Sequence, residues 1–313
     1  MGEMDPVDLR TLERTPLFQA LPRGDRGRVA RLATVDTYRN GEVVVRAGDP
    51  GSTFIVMLSG DALVEPAGGG ERMLVSDEFF GELSLIDGRP RAATVTAAGP
   101  LKVARIGRED FRALLADEPE LAAGLLPGVA AVARDLLRAD AGVLPDHGRV
   151  GEWRTGDDTA LVEAVGEELD GRDALGWLLL LRHVGVFESL SENHLHRVAR
   201  LFTIGRFADG DNVVIAGAPG DSLYIILNGR ARVRTPSGHA ATLDADACFG
   251  ELALIDGAPR SATVTAIGDL TTAKLERSRF NKLLRAEPGI AVGLLDGLVA
   301  IVRDMEEANA PVA

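Results

Sequence analysis

One nineteen-residue segment occurs twice in this chain, at a constant shift of 169 residues, and that duplication limits the folds open to it. Residues 79–97, FFGELSLIDGRPRAATVTA, align without a gap on residues 248–266, CFGELALIDGAPRSATVTA, with 15 of 19 positions identical. The same shift pairs Phe18 with Phe187, Gly41 with Gly210, Gly48 with Gly217, Gly60 with Gly229, Phe111 with Phe280 and Pro119 with Pro288. Solenoid units recur every ~20–50 residues, so a period this long marks a duplicated domain. The 313 residues hold two such domains, each large enough to bury its own core. We place the first over 1–140, a linker and connecting helix over 141–182, and the second over 183–313.

Each copy opens with an amphipathic helix, near 24–33 and 192–201. Short runs follow, EVVVRA, TFIVML and DALVEP in copy one, NVVIAG, SLYIIL and RARVRT in copy two. They are rich in valine, isoleucine and leucine and are ended by turn signals: Asn40-Gly41, Gly48 to Gly51 and Ser59-Gly60, then Asp209-Gly210, Gly217 to Gly220 and Asn228-Gly229. This spacing predicts a mainly β domain with flanking helices: a sandwich, jelly roll or barrel. One more strand, LKVARI or LTTAKL, leads into helix. There Leu125, Leu126, Val129, Val132 and Leu136 repeat as Leu294, Leu295, Leu298, Ile301 and Met305, one helical face. That face packs on its own roll, with a homodimer seam as the alternative. Residues 139–158 read as a linker, and 159–182 as helix with Asp157, Asp158 and Thr159 as candidate N-caps.

A net charge of −13 repels nucleic acid, so no nucleic-acid partner is expected. The apolar run Trp177 to Leu181 is too short to span a membrane, and the N-terminus has no apolar signal core. The single cysteine, Cys248, suits a reducing cytoplasm and reads as a small buried hydrophobe. His147, His183, His194, His196 and His239 form no metal-ligand spacing, so no metal and no cofactor are expected. On so acidic a chain an anionic ligand needs local positive charge, which directs attention to individual arginines.

The repeated segment supplies one per copy. Gly81-Glu82 and Gly250-Glu251 sit where strand gives way to a helical turn, whose first N–H groups are open to an anion. Nine residues after the glutamate stands Arg91 or Arg260, a planar fork able to grip two phosphate oxygens. Small residues follow, Ala92-Ala93 or Ser261-Ala262, and let backbone N–H groups approach the same anion. An ionised glutamate accepts from a ribose 2′-hydroxyl. Acceptor and fork together describe a ribose phosphate with a free 2′-hydroxyl. Singly, each element is weak, and an isolated Glu–Arg pair is more often a salt bridge. The ordered set, twice, is specific.

Its order and spacing resemble the phosphate-binding cassette of the cyclic nucleotide-binding domain family, from about Leu17 to Leu137 and from Val186 to Met305. The Glu-to-Arg spacing is similar to that of the branch holding cyclic-AMP-dependent kinase regulatory subunits and nucleotide-gated channels. The resemblance implies two tandem β jelly rolls, with cyclic AMP ahead of cyclic GMP as ligand. It implies that Glu82 and Glu251 bind the ribose and that Arg91 and Arg260 bind the phosphate. Backbone groups of Leu83, Ser84 and Ala93, and of Leu252, Ala253 and Ala262, would complete each pocket.

Asp87 and Asp256 stand where the family often has an aromatic residue, and read as solvent-facing. Ser261 replaces Ala92, which either favours guanine or bonds only to phosphate or backbone. Trp153 and Trp177 are candidates to stack on a base, though packing is the simpler reading. No helix-turn-helix follows either copy, and Arg10 and Arg14 do not form a pseudosubstrate pair. No catalytic constellation stands out either, because cleaving a cyclic phosphate calls for a metal-activated water. The expectation is a non-enzymatic two-site receptor that changes conformation and acts through an unknown effector protein. The alternative is an assembly protein whose cassettes are empty or hold another purine nucleotide or nucleoside.

Overall fold

Strands that read as nearly unbroken apolar runs are buried on both faces, and TFIVML behaves that way. In the computed structural model, which describes residues 16–66, 69–81, 83–138, 154–155 and 174–308, this run is β3 (Thr53–Ser59). Ile55 and Met57 point into one core while Phe54, one step out of phase, packs edge-on against Phe18 at 5.5 Å between ring centroids. One strand therefore separates the interior of a β roll from a helical layer.

The described residues form two compact units, one reaching Val129 and including Ala308, the other running from Ala130 to Glu307, with the boundary inside the helix Pro119–Arg138. The first begins with α1 (Pro16–Gln19) and α2 (Arg23–Ala30). Its strands are β1 (Ala33–Tyr38), β2 (Val43–Val45), β3, β4 (Ala62–Pro66), β5 (Arg72–Leu74), β6 (Phe79–Phe80), β7 (Ala93–Ala97) and β8 (Leu101–Gly107). They form two antiparallel sheets, ordered β1-β8-β3-β6 and β2-β7-β4-β5. Val44, Ile55, Met57, Leu74, Val95 and Val103, drawn from both sheets, share a single core, as in a jelly roll. α3 (Ser84–Asp87) lies between β6 and β7, and α4 (Arg108–Asp117) and α5 (Pro119–Arg138) follow β8.

The second unit repeats this plan with longer strands. After α6 (Ala174–Arg182), a 3₁₀ turn over Gly185–Phe187 and α7 (Glu192–Ala199) come β10 (Thr203–Phe207) and β11 (Asn212–Val214). β12 (Ser222–Arg234), β13 (Ala240–Leu243), β14 (Cys248–Phe249), α8 (Glu251–Asp256) and β15 (Thr263–Glu276) complete the roll, and α9 (Arg277–Ala286) and α10 (Gly289–Ala308) close it. β12 does the work of β3 plus β4, and β15 that of β7 plus β8. Bulges near Asn228 let β12 turn the corner of the roll unbroken. Gly229 makes that corner: its φ is 88°, and a Cβ there would run into the Asp269 carbonyl.

The expected opening helices appear at Arg23–Ala30 and Glu192–Ala199, the latter capped by the Ser191 hydroxyl, which accepts from the His194 amide. Within the stretch read as a linker, β9 (Arg154–Thr155) pairs with β10, because Thr155 and Arg154 meet Gly205 and Arg206. Asp157, Asp158 and Thr159 lie outside the described residues. The described part of the helical stripe is largely buried within the chain. Leu125, Leu126, Leu294, Leu295 and Leu298 are buried, and Gly293 and Gly297 bring α10 against Leu190 and the Val186 carbonyl.

Cys248 lies half-buried on β14. Desolvation first, and then the nearby Glu251 carboxylate, push its thiol up to about 12. The folded chain thus holds the protonated form past the ordinary thiol range near 8.5. This thiol leaves stability untouched at neutral pH and lowers it as pH rises from about 9 toward 12. Alkylation by iodoacetamide at pH 8, followed by intact mass, should be far slower in buffer than in denaturing urea; equal rates would contradict this burial.

Gly229→Ala should cost about 2 kcal/mol or more in urea unfolding, since positive φ and a backbone clash add. Gly210→Ala, at φ 83° with open space around it, should cost only about 1 kcal/mol.

Candidate functional site

Both cassettes are built around a buried guanidinium. Among the described residues the buried charged side chains are Arg91 and Arg260, 8% and 6% exposed. Taking such a charge out of water costs several kcal/mol unless its donors are engaged. Arg91 Nη2 donates to the Thr53 carbonyl and, at 2.8 Å, to Thr53 Oγ1. Arg260 Nη1 donates to the Ser222 carbonyl at 2.5 Å, and Nη2 to Ser222 Oγ at 2.9 Å and Asp221 Oδ1 at 3.4 Å. Each fork also lies over an aromatic ring, Phe80 at 6.0 Å or Tyr224 at 5.7 Å. Tyr224 is in turn stacked on Phe249, with centroids 5.1 Å apart.

The cassette glycines make room for these forks. Gly81 and Gly250 have φ of 79° and 85°, which a side chain rarely adopts. A Cβ at Gly81 would strike Arg91 Nη1 and lie 2.8 Å from the Thr53 carbonyl oxygen. At Gly250 it would strike Arg260 Nη1 and lie 2.7 Å from the Ser222 carbonyl oxygen. The sharp turn is legible in the sequence, whereas the need for space is not.

A loop clamps each arginine from the other side. The Arg91 amide donates to the Asp49 carbonyl at 2.8 Å, and its own carbonyl accepts from the Gly48 amide at 2.9 Å. The Arg260 amide and carbonyl pair with Ala218 and Gly217 in the same way, both at 2.9 Å. Gly51 and Gly220 let this loop close on the cassette helix, where a Cβ would meet Ser84 Cβ at 2.8 Å or Ala253 Cβ at 2.5 Å. At the helix's far end, Arg108 Nη2 donates to the Ile86 carbonyl at 3.0 Å and Arg277 Nη2 to the Ile255 carbonyl at 3.3 Å. These arginines open α4 and α9, so the cassette helix is tied to the helices that follow the roll.

The residues expected from sequence fall as follows. Leu83, Ser84, Leu252 and Ala253 are buried. Ala93 and Ala262 are half-buried, and Ala92 and Ser261 are exposed. Glu251 is half-buried at the start of α8; Glu82 lies outside the described residues. Asp87 and Asp256 do not simply face solvent. Each is half-buried and accepts from the amide two residues on, Arg89 at 3.0 Å or Ala258 at 2.8 Å, closing the turn after the cassette helix. Trp177 is buried 6.1 Å from Phe202 and is a packing residue, while Trp153 and His147 lie outside the described residues.

Sequence reasoning missed Thr53 and Ser222, Gly51 and Gly220, and Arg108 and Arg277. Each pair sits at the 169-residue shift, so the repeat itself carried the signal. In copy two a cavity of about 230 Å³ opens beside Arg260, Asp221, Tyr224, Phe207, Ile215 and Lys274. No group of three metal-ligating side chains occurs among the described residues, and no helix among them is long and apolar enough to cross a membrane.

Comparison with known proteins agrees with this geometry. The model of the cyclic nucleotide-binding domain matches residues 35–118 and 204–287. The cAMP-dependent protein kinase regulatory subunit of Dictyostelium discoideum is 29% identical over 288 residues, 88% of this chain and 72% of the relative. Among solved structures, the regulatory domain of Toxoplasma gondii PKA with cAMP is 24% identical, with 94% of this chain and 97% of that one covered and a TM-score of 0.34. The regulatory subunit of a cAMP-independent protein kinase A from Trypanosoma cruzi, bound to guanosine, is 20% identical over 93% of this chain and 88% of that one, with a TM-score of 0.34. These relatives are regulatory subunits or regulatory domains by name. With one matched domain in each roll, the chain belongs to the cyclic nucleotide-binding domain family.

Proposed function

We propose that the chain is a two-site receptor for cyclic nucleotides, cyclic AMP ahead of cyclic GMP, that signals through a partner protein. The observation that carries this reading is the pair of buried arginines, each set under a glycine turn at the opening of a short helix. Arg91 and Arg260 grip the cyclic phosphate with their guanidinium forks. Glu82 and Glu251 accept from the ribose 2′-hydroxyl, and the backbone of Leu83, Ser84 and Ala93, or Leu252, Ala253 and Ala262, donates to the phosphate. Ala92 and Ser261 flank the site, and the Ser261 hydroxyl gives copy two one more donor.

A ligand held this way pulls on the cassette helix, and Arg108 and Arg277 pass the movement to α4 and α9. The similarity to kinase regulatory subunits supports a protein-kinase catalytic chain as the effector whose interface the movement alters.

Calorimetric titration of wild type, Arg91→Gln, Arg260→Gln and the double variant with cyclic AMP and cyclic GMP tests this. Each single variant should lose about 2–5 kcal/mol at one of two sites, as for a hydrogen-bonded charge truncated on one side, while its melting temperature shows that it folds. Full-strength binding by the double variant would refute the mechanism. A wild type that ignores both cyclic nucleotides and binds a purine nucleoside would assign the rolls to another ligand.

A further inference from the structure

The second roll holds another cation in the same cavity as Arg260. Lys274 lies on β15 on the face that carries Leu270 into the core. Its cross-strand partner is Tyr224, whose ring lies beneath the Arg260 guanidinium. Both cations line the cavity. Lysine usually keeps its ammonium in water, yet here the side chain is only 17% exposed.

Copy one shows what a merely structural cation looks like at this place. Arg105 occupies the equivalent position and donates to the Tyr38 hydroxyl at 2.8 Å and to Asp36 Oδ2 at 3.3 Å, two acceptors fixed on β1. Copy two has Phe207 and Gly205 at those positions, neither with a side-chain acceptor. The cation is kept, while the two acceptor side chains that hold it in copy one are not. Lys274 instead reaches Glu276 at 3.2 Å, two residues along its own strand.

The disposition of charge follows from exposure. In the Arg260–Asp221 pair the side chains are 5% and 77% exposed, and in the Lys274–Glu276 pair 17% and 43%. The cations are the less exposed partners of both pairs, while Glu276 and Asp221, the latter also lining the cavity, are more open to solvent and its screening. The cavity therefore holds two poorly exposed cations, with a largely exposed aspartate at its lining. An ammonium is a compact charge with three rotatable donors, suited to exchanging one acceptor for another.

We infer that Lys274 is a second ligand-contacting cation of copy two, which leaves Glu276 to hold the ligand's anionic group alongside Arg260. The inference rests on the cyclic-nucleotide reading above, and it makes copy two the more electrostatically driven of the two sites.

The test uses the full chain carrying Arg91→Gln, so that copy two is titrated alone with cyclic AMP at low and at high salt. Lys274→Gln should weaken binding about tenfold at low salt, the lower range for a charge-assisted hydrogen bond, and should flatten the salt dependence. Lys274→Arg should restore most of it. Glu276→Gln should tighten binding, and should have no effect once Lys274→Gln is present. A lysine that only supports the fold would make Lys274→Gln and Glu276→Gln weaken binding together and leave the salt dependence unchanged; either that result or unaltered affinity in Lys274→Gln overturns the proposal. Should Lys274→Gln not fold, the sign of the Glu276→Gln effect decides. A parent chain that binds no cyclic AMP refutes the nucleotide reading of copy two and this inference with it, whereas a binding parent indifferent to Lys274 refutes this inference alone.

Discussion

A guanidinium buried beneath a backbone turn is expensive, and much of each roll is arranged around making it tolerable. The strand below supplies a carbonyl and a hydroxyl from one residue, Thr53 or Ser222, to hold one side of the fork. The turn above gives up its side chain, at Gly81 or Gly250, so that Nη1 fits. A loop from the neighbouring strand pairs with the arginine's own amide and carbonyl and fixes where the side chain starts. Removing any one of these would leave a buried charge either misplaced or short of partners. That the chain keeps all of them in both copies is best understood if the fork is held ready for an anion, because a structural salt bridge would not need so much support.

The same arrangement gives a route from site to helix. The cassette helix is short, and its far end is grasped by an arginine that begins the next long helical segment, Arg108 or Arg277. An aspartate at that end, Asp87 or Asp256, closes the turn leading back to the buried arginine. Site, helix and post-roll helix therefore share a short chain of hydrogen bonds. The rolls nevertheless differ at their mouths. Copy one sets Arg105 against Asp36 and Tyr38, while copy two sets Lys274 beside Tyr224 and pairs Arg260 with Asp221, where copy one has Ser52. Equal cassettes thus stand in unequal electrostatic surroundings.

Much of this was legible in the sequence because the duplication filters it. Residues retained at a shift of 169, such as the glycine corners, the Phe111–Phe280 pair and the cassette itself, mark the jelly roll and the candidate site without any other information. What stayed hidden was the reason for certain small or polar residues. Gly51 and Gly220 read as ordinary turn residues, although their function is to let a loop touch the cassette helix. Asp87 and Asp256 read as solvent-facing, but they spend their carboxylates on local amides, an effect set by backbone geometry after the helix ends. Arg108 and Arg277 carry no local signal of their role, since nothing nearby in sequence shows that a carbonyl 22 residues earlier will come within reach. The strand β9 was obscured by the glycine- and aspartate-rich composition around it.

The central claim is that two rolls hold two ligands. Native mass spectrometry of the intact chain with cyclic AMP in excess counts them directly. Two molecules bound per chain is the result this account predicts, and a chain that takes up one or none would contradict it.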